Sequence, residues 1–193
     1  MEKRLFLTGP AGCGKSRLLR EALGGRLAGA GGFMTGPLIG PEGYALGYLL
    51  QPTAAAAGLE GFDCPLFLDA SVWPPQRDNE VFRSTGVQLL KEAVWYPYAV
   101  VDELGGYELL IPQFRAALEE LLRSGVPLLG ALKTPEEAEL WRQLFGLGER
   151  FTLHAEQFRR SLGSDGDTRI LDLSVLSEEE TRRALSDWVA AYA

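Results

Sequence analysis

The sequence predicts an α/β fold, a mostly parallel sheet flanked by helices with an inserted β-hairpin. Three observations carry this. Short apolar runs alternate with amphipathic helical stretches along most of the 193 residues. The chain opens with an apolar run, a glycine-rich turn and a helical stretch, which is a β-loop-α unit. Two strand-like segments around Gly40-Pro41-Glu42-Gly43 interrupt the alternation, as a hairpin would. A chain of this length buries about 70% of the surface its unfolded form exposes, so a single domain spanning 1–193 is expected.

In chain order, a strand is expected over 4–8, a loop over 9–14 and a helix over 15–23, with Leu18, Leu19 and Leu23 on one face. The hairpin pairs 32–39 with 44–50. The Ala- and Gly-rich stretch 51–63 has no period, and Leu66-Phe67-Leu68 is a short strand before the break at Trp73-Pro74-Pro75. A helix follows over 78–94. Strands over 98–101, 126–132 and 150–154 then alternate with helices over 112–123 and 135–145. The tail 168–173 is one more strand. The last helix, about 178–191, starts at Ser177 with Glu180 three residues on, a capping box.

Composition removes several function classes. Nineteen Lys and Arg stand against 26 Asp and Glu, for a net charge of -7, and basic residues cluster no further than pairs such as Arg159-Arg160. Binding a nucleic-acid backbone needs a concentrated basic face, so nucleic acid is not the expected partner. Cys13 and Cys64 form no C-x-x-C motif and have only His154 to help them, which excludes a structural zinc site and fits a reducing, cytoplasmic setting. No apolar run approaches the ~18 residues of a membrane span, nor does the N-terminus resemble a signal peptide.

Gly9-Pro10-Ala11-Gly12-Cys13-Gly14-Lys15-Ser16 matches G-x-x-x-x-G-K-[ST] between an expected strand and an expected helix. Its glycines let successive N–H groups turn inward onto phosphate oxygens at the positive end of a helix. Lys15 is the expected ligand of the β- and γ-phosphates, and Ser16 of Mg²⁺. Cys13 is read as a small side chain at a variable loop position rather than as a redox thiol. Ala99-Val100-Val101-Asp102-Glu103 is an apolar strand closing on two carboxylates, the Walker B arrangement. Asp102 is the expected holder of Mg²⁺ through water, and Glu103 the general base that polarises the attacking water. A Glu directly after the Asp favours hydrolases of the RecA-like and AAA+ kind, and no N-K-x-D supports guanine selectivity.

These motifs resemble the small P-loop nucleoside-triphosphatases of thermophilic archaea and bacteria, which include the cancer-related NTPase of animals. Gly32-Phe33-Met34-Thr35 resembles the family's G-F-Y-T, and Val101-Asp102-Glu103-Leu104-Gly105 with Glu108-Leu109 resembles V-D-E-I-G-K-M-E-L. Pro127-Leu128-Leu129-Gly130 resembles the strand after Walker B, and Arg159 falls where the family has an Asn-Arg pair. The resemblance implies a RecA-like domain and Mg²⁺-dependent hydrolysis of ATP, GTP and other NTPs with weak base preference. The chain departs from the pattern at Gly36-Pro37-Leu38-Ile39, where the family carries charged residues, at Gly106-Tyr107 and at Phe158.

Arg159 is the candidate charge-stabilising finger, the alternative being a solvated helix face. Lys133-Thr134 is either a γ-phosphate sensor or the N-cap of the helix after it. His154 is read as a strand-end residue, and Trp73, Trp95, Trp141 and Trp188 as core or edge packing. The expected function is Mg²⁺-dependent nucleoside-triphosphate hydrolysis. A slow, partner-binding nucleotide switch and a small-molecule kinase are the alternatives.

Overall fold

The computed structural model describes residues 2–193. Its strands are β1 (Arg4–Thr8), β2 (Gly31–Ile39), β3 (Ala45–Pro52), β4 (Leu66–Asp69), β5 (Gln76–Arg77), β6 (Ala99–Leu104), β7 (Leu128–Leu132) and β8 (Thr168–Asp172). They form one sheet in the order β5-β4-β3-β2-β6-β7-β1-β8. The run from β2 to β8 is parallel, and β3, β4 and β5 extend it antiparallel. This is the mostly parallel sheet with an added hairpin that the sequence predicts.

The helices are α1 (Lys15–Leu23), α2 (Thr53–Ala56), α3 (Asn79–Val81), α4 (Val87–Ala93), α5 (Pro112–Arg123), α6 (Pro135–Leu144), α7 (Glu149–Ser164) and α8 (Glu178–Tyr192). Alternation along the central strands divides the core. Leu5 and Leu7 of β1, Val100 of β6 and Leu129 of β7 pack with α1 and α8, while Phe6, Val101 and Leu128 pack with α4, α5 and α7. Buried on both faces, these strands read as continuous apolar runs. Phe82 joins the hairpin side to the helices, with its ring against Phe33, Phe67, Tyr107 and Phe114.

Three readings of the sequence are corrected. Residues 150–154 are not a strand; they open α7. Phe151 and Leu153 look like strand alternation, but Phe151 and Leu162 are buried, Ala155 and Phe158 pack beside them, and Leu153 is exposed. That spacing is a helical stripe, and it moves His154 from a strand end to a helix. The stretch 51–63 is not wholly irregular, since β3 continues to Pro52 and α2 follows. The 78–94 helix contains a π-helical turn at Phe82–Gly86 between α3 and α4.

β6 also runs further than expected, to Leu104. Its ladder with β7 jumps from Val101–Gly130 to Leu104–Leu132, leaving Asp102 and Glu103 in the irregularity. Such a break re-aims side chains. The capping boxes form at both later helices: Ser177 with Glu180 at α8, and Thr134 with Glu137 at α6.

Candidate active site

The site is assembled where β1, β6 and β7 end side by side. The loop from Gly9 to Gly14 leaves β1 and enters α1 with Gly14 in the left-handed region, φ 95°, a conformation that disfavours any side chain. Gly9, at φ 149°, has a conformation that L side chains rarely adopt, and a Cβ there would crowd Cys13 Sγ at 3.0 Å and Leu173 Cβ at 3.1 Å. Cys13 is a free thiol, and its backbone N–H donates to Pro10 O.

Lys15 is buried, and its ammonium donates to Gly9 O at 2.7 Å. It also stands 3.3 Å from Glu103 Oε1 and 3.3 Å from Glu137 Oε1. Burial pulls its pKa down, but Glu103 and Glu137 outweigh that and leave it above the ordinary lysine value. Glu103 lies between two cations, with Lys133 Nζ 2.7 Å from its Oε2. Burial would raise its pKa, yet Lys133 and Lys15 hold it below the usual carboxylate value.

Asp102 is fully buried, and neither of its oxygens has a well-formed hydrogen bond. Burial pushes its carboxyl up to about 6, with the Ser16 hydroxyl pulling back and Glu103 adding to the rise. An orphaned buried carboxylate beside a serine hydroxyl fits a hard cation with oxygen ligands. Among the described residues, no group of three or more His, Cys, Asp and Glu is placed to cage a metal. Mg²⁺ suits this pattern, since it takes few protein ligands and completes its shell with water and phosphate oxygens.

The loop, Glu103 and Lys133 face a cleft of about 520 Å³ that Tyr48, Phe67, Tyr107 and Trp141 also line. Glu108 also lines it, its Oε1 accepting the backbone N–H groups of Gly105 and Gly106 at 2.7 and 2.8 Å. Arg159 is not on this cleft. Its guanidinium donates to Lys133 O at 3.0 Å and to Thr8 Oγ1 at 3.3 Å, and it lines a separate apolar cavity of about 100 Å³.

The structure therefore brings together Lys15, Ser16, Asp102 and Glu103, and sets Arg159 one residue behind Lys133. Thr134 is the N-cap of α6, accepting from Glu137 N at 3.1 Å. Glu137 is the site residue that sequence reasoning missed. Its signal was the T-x-x-E capping box at Thr134-Pro135-Glu136-Glu137, but nothing local tells that this N-terminus abuts the phosphate loop.

A family model described as NTPase matches residues 69–162, a span with Asp102, Glu103, Lys133, Glu137 and Arg159 but without the phosphate loop. The crystal structure of THEP1 from the hyperthermophile Aquifex aeolicus is similar in fold, with a TM-score of 0.62 and 17% identity over 98% of each chain. No curated protein matches the sequence. The family model thus falls on the acidic half of the site, the phosphate-loop motif on the other half, and the fold beneath both is that of a small P-loop nucleoside-triphosphatase, so the chain is similar to the family that its motifs resemble.

Proposed function

We propose that this protein is a cytoplasmic, Mg²⁺-dependent nucleoside-triphosphatase, cleaving ATP, GTP and other NTPs to the diphosphate and phosphate with weak base preference. One observation carries the reading: Glu103 is fixed between Lys15 and Lys133, at 3.3 and 2.7 Å, in the cleft that the phosphate loop opens into. Gly9 to Gly14 and the start of α1 offer inward N–H groups to the phosphates, and Lys15 neutralises their outer charge.

Ser16 and Asp102 are the residues that would hold Mg²⁺, Asp102 through water. When bound, the ion supplies charge neutralisation at the β- and γ-oxygens. Glu103 accepts the proton of the attacking water. Paired with two ammonium groups it is a weak base, so phosphate binding, which gives Lys15 a competing partner, raises its basicity when it is needed.

Lys133 takes the charge-stabilising role beside the γ-phosphate. Its backbone is fixed by Lys133 N donating to Leu104 O at 2.8 Å and by Arg159 donating to Lys133 O. Arg159 is then a positioning residue, acting through Lys133 rather than on the phosphate. The free site holds Lys15 in two ion pairs that nucleotide must displace, which lowers affinity, while the loss of charged residues at Gly36-Pro37-Leu38-Ile39 favours slow turnover, below the enzyme median of about 10 s⁻¹.

The test is phosphate release over a panel of NTPs with wild type and Glu103→Gln. Release from several NTPs at comparable rates, lost in the variant and with chelator, is the expected result. No release from any NTP would overturn the reading.

A further inference from the structure

Arg115, Leu118, Glu119 and Leu122 fall at i, i+3, i+4 and i+7 along α5, and His154, Gln157, Phe158 and Ser161 repeat that spacing along α7. Each set therefore shares one face of its helix. The two faces, with Leu109 ahead of α5, line a cavity of about 220 Å³ that has no residue in common with the nucleotide cleft. Leu109 and Leu118 are buried, and Leu122 and Phe158 pack against the same core. One part of the lining is thus apolar, and another is held by Arg115 and His154.

Arg115 is short of partners. A guanidinium donates at every nitrogen and accepts at none. Its one hydrogen-bonding neighbour among the described residues is the His154 ring, with Nη1 2.7 Å from Nδ1 and 3.0 Å from Nε2. Burial, then Arg115 and Arg150, hold the His154 pKa below the ordinary histidine value, so the ring is neutral at neutral pH and offers a single acceptor nitrogen. Arg115 Nε is buried and has no acceptor, and among the described residues no carboxylate reaches ion-pair distance of the guanidinium. Arg4 shows the opposite case, meeting Asp165, the Thr168 hydroxyl and Leu122 O.

A part-buried guanidinium without a counter-charge is costly, and packing α5 on α7 would be served by an apolar residue, as it is at Leu118 and Leu122. The surrounding charges set that of the missing partner. Exposed Arg150 adds a positive charge near His154, and exposed Glu119 a negative one on the lining, which leaves the single charge of Arg115 to be matched. A monoanion matches it. A planar carboxylate also meets a guanidinium edge with two parallel hydrogen bonds.

We propose that this cavity binds a small aliphatic carboxylate, its oxygens on the guanidinium of Arg115 and its chain against Leu109, Leu118, Leu122 and Phe158. The site is separate from the nucleotide cleft and stands whether or not the protein hydrolyses NTPs.

His154 is the single histidine of the sequence, so its imidazole NMR signal reports on this cavity. The 193-residue chain is titrated with hexanoate, with acetate as the control that lacks the chain and hexanol as the uncharged control. Hexanoate should shift the His154 signal in a saturable manner, with half-saturation at a concentration about tenfold or more below that of acetate and of hexanol. Arg115→Gln should weaken hexanoate binding about tenfold, and Arg115→Lys should recover part of the loss. Should Arg115→Gln fail to fold, the hexanol comparison tests the charge without a variant.

No saturable shift with hexanoate would overturn the site. Acetate binding as tightly as hexanoate would overturn the part given to the apolar lining. Hexanol binding as tightly as hexanoate, or unchanged affinity in Arg115→Gln, would overturn the part given to Arg115.

Discussion

Glu137 serves two ends of the site at once: its carboxylate accepts Thr134 N at 2.9 Å, closing the α6 capping box, and stands 3.3 Å from Lys15 Nζ. The residue that starts a helix thereby occupies the ammonium of the phosphate-loop lysine. Any nucleotide entering the loop competes with it.

Glu137→Gln keeps an acceptor for Thr134 N and removes the charge facing Lys15. Nucleotide affinity should rise about fivefold, corresponding to about 1 kcal/mol for a partly buried ion pair. Calorimetric titration with a non-hydrolysable ATP analogue and Mg²⁺ reads this directly. Affinity equal to or weaker than wild type would remove the competition from the account.

Lys15→Ala and Glu103→Gln separate binding from chemistry. The first should weaken nucleotide binding. The second should leave binding within a few-fold while turnover falls by about 10²-fold or more, because Gln preserves shape but accepts no proton. Wild-type turnover in Glu103→Gln would assign the proton to another group.

Lys133 and Arg159 are distinguished by their contacts. Lys133→Met should lower kcat more than Arg159→Ala, since the ammonium faces Glu103 whereas the guanidinium reaches only Lys133 O and Thr8 Oγ1. A larger kcat loss in Arg159→Ala, with Lys133→Met near wild type, would return the charge-stabilising role to the arginine.

Acid stability should depend on Asp165. Its carboxylate accepts Asp167 N at 3.0 Å and the Thr168 hydroxyl at 3.1 Å, and pairs with the buried Arg4 guanidinium. The Asp167 N–H first, then Thr168 and Arg4, hold its pKa below the usual aspartate value. A depressed native pKa means that the stabilisation is present above the unfolded value, about 3.9, and is lost as pH falls through the native one. Asp165→Asn should therefore cost about 1 kcal/mol near neutral pH, a modest figure because the pair is part-exposed. Urea unfolding at about pH 7 and about pH 3 should show that gap closing in acid; a gap of constant size would exclude titration of Asp165 as its source.

Much of this was legible in the sequence because local signals and tertiary demands agree. The β1–loop–α1 unit was readable from its glycines and the Leu18, Leu19, Leu23 face, and α8 from Ser177 and Glu180. Residues 150–154 misled because Phe151 and Leu153 alternate over a window too short to expose the longer stripe through Ala155, Phe158 and Leu162. The carboxylates Asp102 and Glu103 could be found, but not their displacement from the β6–β7 ladder, which depends on a partner strand 25 or more residues away. Glu137 was hidden for the same reason, since β7 alone carries α6 across to the phosphate loop. Arg159 could be found as a residue, but not its hydrogen bonds to Lys133 O and Thr8 Oγ1, because sequence fixes its helix but not which oxygen its guanidinium finds.

The position of β1 has a consequence for how the molecule comes into being. Its two neighbours are β7 and β8, so Arg4 pairs with Leu128 on one side and Thr168 on the other. A growing chain that has already emerged past Glu103 carries every motif residue of the nucleotide site, yet the strand bearing the phosphate loop still has nothing to lie against. On the proposed reading nucleotide capture then waits for β7, and a chain cut short before Leu128 keeps the signature while losing the strands that flank it.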